Sequence, residues 1–348
     1  MMVNRRGLTL ATAAVMVLSS VLFAQKKDDK KQTDQQKKDT LDIVKLADAA
    51  ATGQMPNDLG LAWAHEDYLK ATGNKEYVPF TLTYDPSKIS TPNIALYWRV
   101  VAKDAATPAA TLTIAPKKDD KEKDRKPAPK FAYEDINFVN AGMGRISRAF
   151  TVTAGTYDVY VILREGSSTQ KNAPAPKVSV IKQTLTVPDF WTPDLTTSSV
   201  IVAQRIEPLN APLSPNEQLE RPYALGQMEI VPALDNKFST KQELSIFMLI
   251  YNPKTDPMNK PDVTVEYNFY AKPAGAPEKF FNKTSPQDLN AKTLPAAFDM
   301  SLGHQLQTGQ AVPLASFPAG DYRLEVKVTD KLATKTITRD VNFTVTAG

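Results

Sequence analysis

The chain has 348 residues, no cysteine, two histidines and a formal net charge of +4 from 42 basic and 38 acidic side chains. Without thiols there are no disulfides, thiolate metal sites or cysteine nucleophiles, so stability has to come from burial, which a chain of this length can supply. The positive balance sits in Arg5 and Arg6 and in the runs 25–40 and 117–130, and the remainder of the chain stands at −3. A nucleic-acid footprint gathers its basic residues on a folded face or a recognition element, so nucleic acid is excluded as the expected partner.

Residues 1–24 read as a signal peptide: Arg5 and Arg6, then an apolar stretch from Leu8 to Phe23, then Ala24 before a polar run. The apolar stretch is short and interrupted for a membrane span, which needs about 20 apolar residues. Export to the periplasm or the extracellular space is expected, with no integral span after cleavage. The segment 25–40, "QKKDDKKQTDQQKKDT", is too polar to bury anything and reads as a disordered charged tether. A short helical segment is expected over 41–74. Its first helix has Thr40 as N-cap and Ile43, Leu46, Ala47 and Ala50 on one face, with Gly53 as the stop. Its second starts near Asp58 with Leu61, Ala64, Tyr68 and Ala71 at helical spacing.

From Tyr77 the period changes to alternation. "YVPFTLTYD" and "NIALYWRVVAK" are aromatic and β-branched runs bounded by turn residues, as strands are. A disordered insertion at 115–130 separates them from "FAYEDINFVNAG", "ISRAFTVTAGTYDVYVILRE" and "KVSVIKQTLTVPDF". The first β-sandwich domain is placed at 75–192 and a second at 197–348. Strands in the second are expected at 200–207, 227–231, 243–251, 263–271, 321–329 and 335–346. Pro208, Pro212, Pro215 and Pro222 predict an irregular connection after the first of these.

The two halves echo each other. "FTVTAGTYDVYVILRE" closes the first and "ASFPAGDYRLEVKVTD" the second, each with Ala-Gly-x-Tyr entering an alternating strand. Gly155 and Gly320 suit a tight turn. Tyr157 and Tyr322 fall where the tyrosine corner of immunoglobulin-like sandwiches sits, with the hydroxyl tied back to the backbone. The expected fold is therefore mainly β: two tandem immunoglobulin-like β-sandwich domains, of the disulfide-free, fibronectin-III-like kind, after a small N-terminal helical segment.

The stretches "SSVIVAQRIEP", "YALGQMEIVPALDNKFSTKQELSIFMLIYNP", "DVTVEYNFYA" and "FPAGDYRLEVKVTDKLATKTITRDVNFTV" cover most of residues 198–345. In that order they resemble the C-terminal β-sandwich region of GWxTD-domain secreted bacterial proteins. The Gly-Trp-x-Thr-Asp motif itself does not occur, and the first half is sheet-like where that family is mainly helical. The resemblance implies an exported envelope protein and carries no chemistry.

Motifs for chemistry are sparse. His65, beside Glu66 and Asp67, lacks a second histidine one turn on, position 69 being Leu69, and His304 lies in a loop-like stretch without an acid or serine motif. Ser168 with Lys171 and Ser179 with Lys182 match Ser-x-x-Lys without the companion triplets. Gly142 and Gly144 lack a third glycine and read as a hairpin turn. The acids of 119–124 are interleaved with lysine and lack calcium-loop spacing. No catalytic residue, cofactor or metal is assigned. Tyr97, Trp98 and Trp191 are the aromatics that could face a ligand, weighed against core packing. The expected function is a non-enzymatic exported envelope module that presents its sandwiches to a protein or a polysaccharide. The alternative is a periplasmic or secreted carbohydrate-active enzyme with dispersed carboxylates.

Overall fold

The computed structural model describes residues 33–103, 131–168, 170 and 172–348. The expected signal peptide, the first half of the tether (25–32) and the insertion at 115–130 lie outside the described residues. Helix α1 (Asp34–Ala50) comes first, followed by strands β1 (Ala62–Glu66), β2 (Leu69–Lys70), β3 (Glu76–Thr83) and β4 (Asn93–Ala102). Then come β5 (Tyr133–Asn140), β6 (Arg145–Val152), β7 (Gly155–Glu165) and β8 (Val178–Val187). The second half contains β9 (Thr196–Thr197), β10 (Ile201–Pro208), helix α2 (Pro215–Glu220), β11 (Ala224–Leu225), β12 (Met228–Pro232) and β13 (Lys237–Ser239). It continues with β14 (Glu243–Tyr251), β15 (Val263–Ala271), β16 (Lys279–Lys283) and β17 (Gln287–Leu289). Strands β18 (Leu306–Pro313), β19 (Gly320–Asp330) and β20 (Lys335–Thr346) complete it. The chain is mainly β, as its alternating and apolar runs predict.

Contacts divide the chain into two compact units. One comprises Gly73–Asp189 with the described part of Phe23–Glu66. In it a sheet of order β5-β4-β7-β8 faces a sheet containing β1, β3 and β6, paired in the order β1-β3-β6. Aromatic rings fill the space between: Phe80 lies 6.0 Å from Trp98 and 5.9 Å from Phe150, with Tyr133 against both Trp98 and Phe150. Strand β4 is buried along most of its length because its other face is covered too. There α1 lays Ile43, Ala47 and Ala50 against Ala95, Tyr97, Ile162 and Val180.

The other unit comprises Phe190–Gly348 with Asp67–Thr72. Its sheets are β11-β12-β10-β14-β18, with β9 also on β14, and β13-β20-β19-β15-β16, with β17 also on β15. Leu244, Ile246, Met248 and Ile250 of β14 meet Val263, Val265, Tyr267 and Phe269 of β15 and Leu324, Val326 and Val328 of β19 in one core.

Several sequence expectations are corrected. Helix α1 begins at Asp34, inside the stretch read as a disordered tether. Thr33 caps it, its Oγ1 accepting from the Gln36 N–H while the Gln36 side chain accepts from the Thr33 N–H. Thr40 is therefore not the cap but an interior residue, its hydroxyl donating to the Gln36 carbonyl at 2.8 Å. The second expected helix does not form; its residues supply β1 and β2. Trp63 stacks on Phe80 at 4.7 Å, and Leu59, Leu61 and Leu69 are buried, so tertiary packing overrides the helical spacing. Gly142 and Gly144 do not close a hairpin: β5 pairs with β4 and β6 with β3, so the turn carries the chain from one sheet to the other. The Pro-rich connection contains α2, capped by Ser214 and Glu217 with Pro215 in its first turn.

Candidate functional site

The two tyrosines of the internal echo make matching bonds. The Tyr157 hydroxyl donates to the Thr153 carbonyl at 2.9 Å, and that of Tyr322 donates to the Pro318 carbonyl at 2.7 Å. Gly155 and Gly320 precede them with φ of +150° and +157°, where a Cβ is disfavoured. A Cβ on Gly155 would also rest 3.5 Å from the Tyr157 ring. Both rings are buried and fix the entry of β7 and β19, and Tyr322 also borders a cleft in the second unit.

The three ligand-facing aromatic candidates separate. Tyr97 lies beneath α1 and Trp98 within the sandwich, both buried, so of the two readings weighed for them core packing holds and neither faces a ligand at the surface. Trp191 is 40 % exposed. The Lys70 ammonium sits 4.3 Å over its ring and bonds Asn252 Oδ1 at 3.1 Å, while the Lys70 N–H donates to the Tyr251 hydroxyl at 3.0 Å.

Buried ionisable groups hold elements together. Arg164 donates to Asp39 at 2.9 Å, and the Ser167 hydroxyl donates to the same oxygen at 2.6 Å. Burial raises the Asp39 pKa, but the hydrogen bonds from Ser167 and Arg164 outweigh it and hold the carboxyl below its ordinary value. Arg99 donates to Asp48 and to the Tyr97 hydroxyl, each at 2.7 Å, so α1 is pinned to its sheet by two arginines. Asp330, fully buried, accepts from the N–H groups of Lys254, Leu332 and Ala333. Lys260 donates its ammonium to three carbonyls, those of Pro295, Ala296 and Phe298, and so ties two loops.

Of the sequence matches, Lys171 of the Ser168–Lys171 pair lies outside the described residues, and the others are taken up in packing and local bonds. Ser179 is buried and accepts from the Leu59 N–H at 2.8 Å, while Lys182 pairs with Asp158 at 2.8 Å. His304 Nδ1 accepts from the Asp299 N–H at 2.9 Å. His65 lies in β1 opposite Thr81.

A cleft of about 520 Å³ opens in the second unit where β19 and β20 meet the loop after β15. Its polar lining includes Asn236, Lys272, Glu278, Asp321, Asn342 and Thr344. Lys272 donates to Asn342 Oδ1 at 3.1 Å and Thr344 to Asp321 at 2.7 Å. Arg323 holds Glu278 at 2.6 Å, and this hydrogen bond keeps its carboxyl below the ordinary value. The sequence reading missed this cleft, because its residues come from four separate segments, and the Ala-Gly-x-Tyr entry that supplies Asp321 and Tyr322 points to a strand start rather than to a concavity. Among the described residues no group of three or more His, Cys, Asp or Glu side chains is placed to hold a metal ion. No helix among them is long and apolar enough to cross a membrane.

No family model and no curated protein matches the chain. Among solved structures, it aligns with Escherichia coli alpha-2-macroglobulin activated by porcine elastase at 10 % identity and TM-score 0.22, covering 84 % of this chain and 35 % of that one. Trypsin-activated alpha-2-macroglobulin from Escherichia coli gives 10 % identity and TM-score 0.22 over 85 % of this chain and 17 % of that chain. A Salmonella alpha-2-macroglobulin mutant gives 12 % and 0.19 over 84 % and 17 %. At these scores the likeness carries no argument, and the chain spans about a third or less of each. The assignment of tandem β-sandwiches rests on the chain's own sheets.

Proposed function

We propose that the chain is an exported envelope module that works by binding a protein or polysaccharide, without catalysing a reaction. Arg5, Arg6 and the apolar run after them support export. The observation that carries the binding reading is the state of the charged groups: Asp39, Asp48, Arg99, Arg164 and Asp330 are all spent on joining elements. In the cleft, Glu278 is held ionised by Arg323, the reverse of what a glycosidase acid needs. Its amides, ammonium and carboxylates can instead bond a ligand's polar groups without reacting.

The test is to fractionate cells producing the full chain and to expose the purified protein to envelope extracts, a glycan array and a panel of polysaccharides. The expected result is recovery from the periplasm or medium, capture of one discrete partner and no hydrolysis. Turnover of any polysaccharide that is lost on substituting Glu278 or Asp321 would replace this reading with the enzymatic one.

A further inference from the structure

Among the described residues, strand β20 has one side that another strand pairs only at its C-terminal end. It pairs with β19 from Lys335 to Val345, but on its other side β13 reaches only Thr344, Phe343's neighbour, through Thr346. The Thr344 N–H donates to the Asn236 carbonyl, the Asn342 carbonyl accepts from Asn236 Nδ2, and the Thr338 carbonyl accepts from the Arg339 side chain. These bonds show that the even-numbered residues turn their backbone groups to this side. Thr336, Thr338, Asp340 and Asn342 thus present an open ladder, with no backbone partner there among the described residues, and all four side chains are exposed. The open stretch from Thr336 to Asn342 is about 20 Å long at strand rise.

Between them, Arg339 points inward beside the partly buried Ile337 and buried Val341. Its guanidinium donates to the Thr338 carbonyl at 3.0 Å and to Thr196 Oγ1 at 3.3 Å. No carboxylate is within ion-pairing reach among the described residues, and burial alone pushes its pKa down. Other arginines of the chain show the contrast: Arg99, Arg164 and Arg323 each hold an acid. An inward charge on an edge strand discourages indiscriminate edge pairing. It also selects, because a strand that brings a carboxylate to this position neutralises the charge, whereas an apolar one buries it unpaired.

We propose that the open side of β20 docks an extended polypeptide segment as an added strand, with an Asp or Glu side chain of that segment on Arg339. This rests on the binding reading above and specifies a protein partner. Main-chain bonds would supply affinity and the arginine the choice of partner.

The full chain is titrated with a labelled eight-residue Thr/Val peptide carrying a central Glu, and with its Gln and Lys analogues, while hydrogen exchange is followed. The expected result is protection of 336–342 and binding of the Glu peptide at least tenfold tighter than Gln. Arg339→Met should abolish that preference, and Thr338→Pro, which removes only an outward N–H, should abolish binding with the melting temperature little changed. Equal binding of the three peptides, or no binding with Arg339→Met merely aggregating, would overturn the proposal in favour of edge protection alone. Concentration-dependent dimers that protect the same residues would overturn it in favour of a second copy. If an envelope partner or glycan is captured equally well by Arg339→Met and Thr338→Pro, the docking proposal fails while the binding function stands.

Discussion

The outer faces of two sheets, one in each unit, have opposite characters. In the first unit the face of β5-β4-β7-β8 is covered by α1, and β4 is accordingly buried on both sides, reading "IALYWRV" with hardly a polar residue. In the second, β15 alternates, with Val263, Val265, Tyr267 and Phe269 buried and Thr264, Glu266 and Asn268 outward. Its neighbour β19 does the same, and the outward residues form ion pairs such as Lys327 with Glu266 and Arg323 with Glu278. A continuous apolar strand announces a cover on its second face, and an alternating one announces solvent or a partner.

Substitutions at five positions would break or sharpen that contrast. Trp98→Ala empties the interior beside the covered sheet and should cost about 3–5 kcal/mol in denaturant unfolding of the first unit. Trp98→Phe should cost far less, since the buried indole N–H has no hydrogen-bond partner to lose. Next, Asp39→Ala leaves Arg164 buried with its nearest acid gone, and should cost about 3 kcal/mol and strip hydrogen-exchange protection from α1 before the sheet beneath it. The sign with pH follows from the lowered Asp39 pKa: its contribution is present above the ordinary carboxylate value of 3.8 and is lost as pH falls through the lower folded value. A stability profile from pH 6 to 2 should therefore fall at its acid end, and Asp39→Asn should flatten that fall; an unchanged profile would show that the pair does not secure the helix.

Smaller still, Tyr157→Phe and Tyr322→Phe should each cost about 1 kcal/mol, the worth of a hydroxyl–carbonyl bond, with Tyr157 losing slightly more because its hydroxyl also bonds Thr153 Oγ1. Lys327→Ala on the bare face should change stability by about 1 kcal/mol or less, an effect that disappears in added salt. A larger loss there would mean that the exposed face is held more tightly than its solvation suggests.

Much of the β framework was legible because the pattern is local. The Ala-Gly-x-Tyr entries, the run of β4 and the alternation of β15 and β19 each state their own geometry. The capping box at Thr33 and Gln36 was legible too, but the lysines around it pointed to disorder, and the decisive ion pairs come from Arg99 and Arg164, far away in sequence. Strand β18 was hidden for a different reason. "LQTGQAVP" has weak strand propensity, yet β14 pairs it from Leu306 to Pro313, and a Cβ on Gly309 would meet the Ile246 carbonyl at 2.7 Å. The cleft and the Arg339 edge were invisible, since neither a concavity nor a missing partner is a property of any one segment.

The bond set of Lys260 has a practical consequence. Three backbone carbonyls converging on one positive centre is the arrangement by which loops commonly recruit a metal ion. Here the positive centre is covalently part of the chain and cannot be diluted, exchanged or chelated away. These three bonds between the loops therefore draw on no ion from the surroundings.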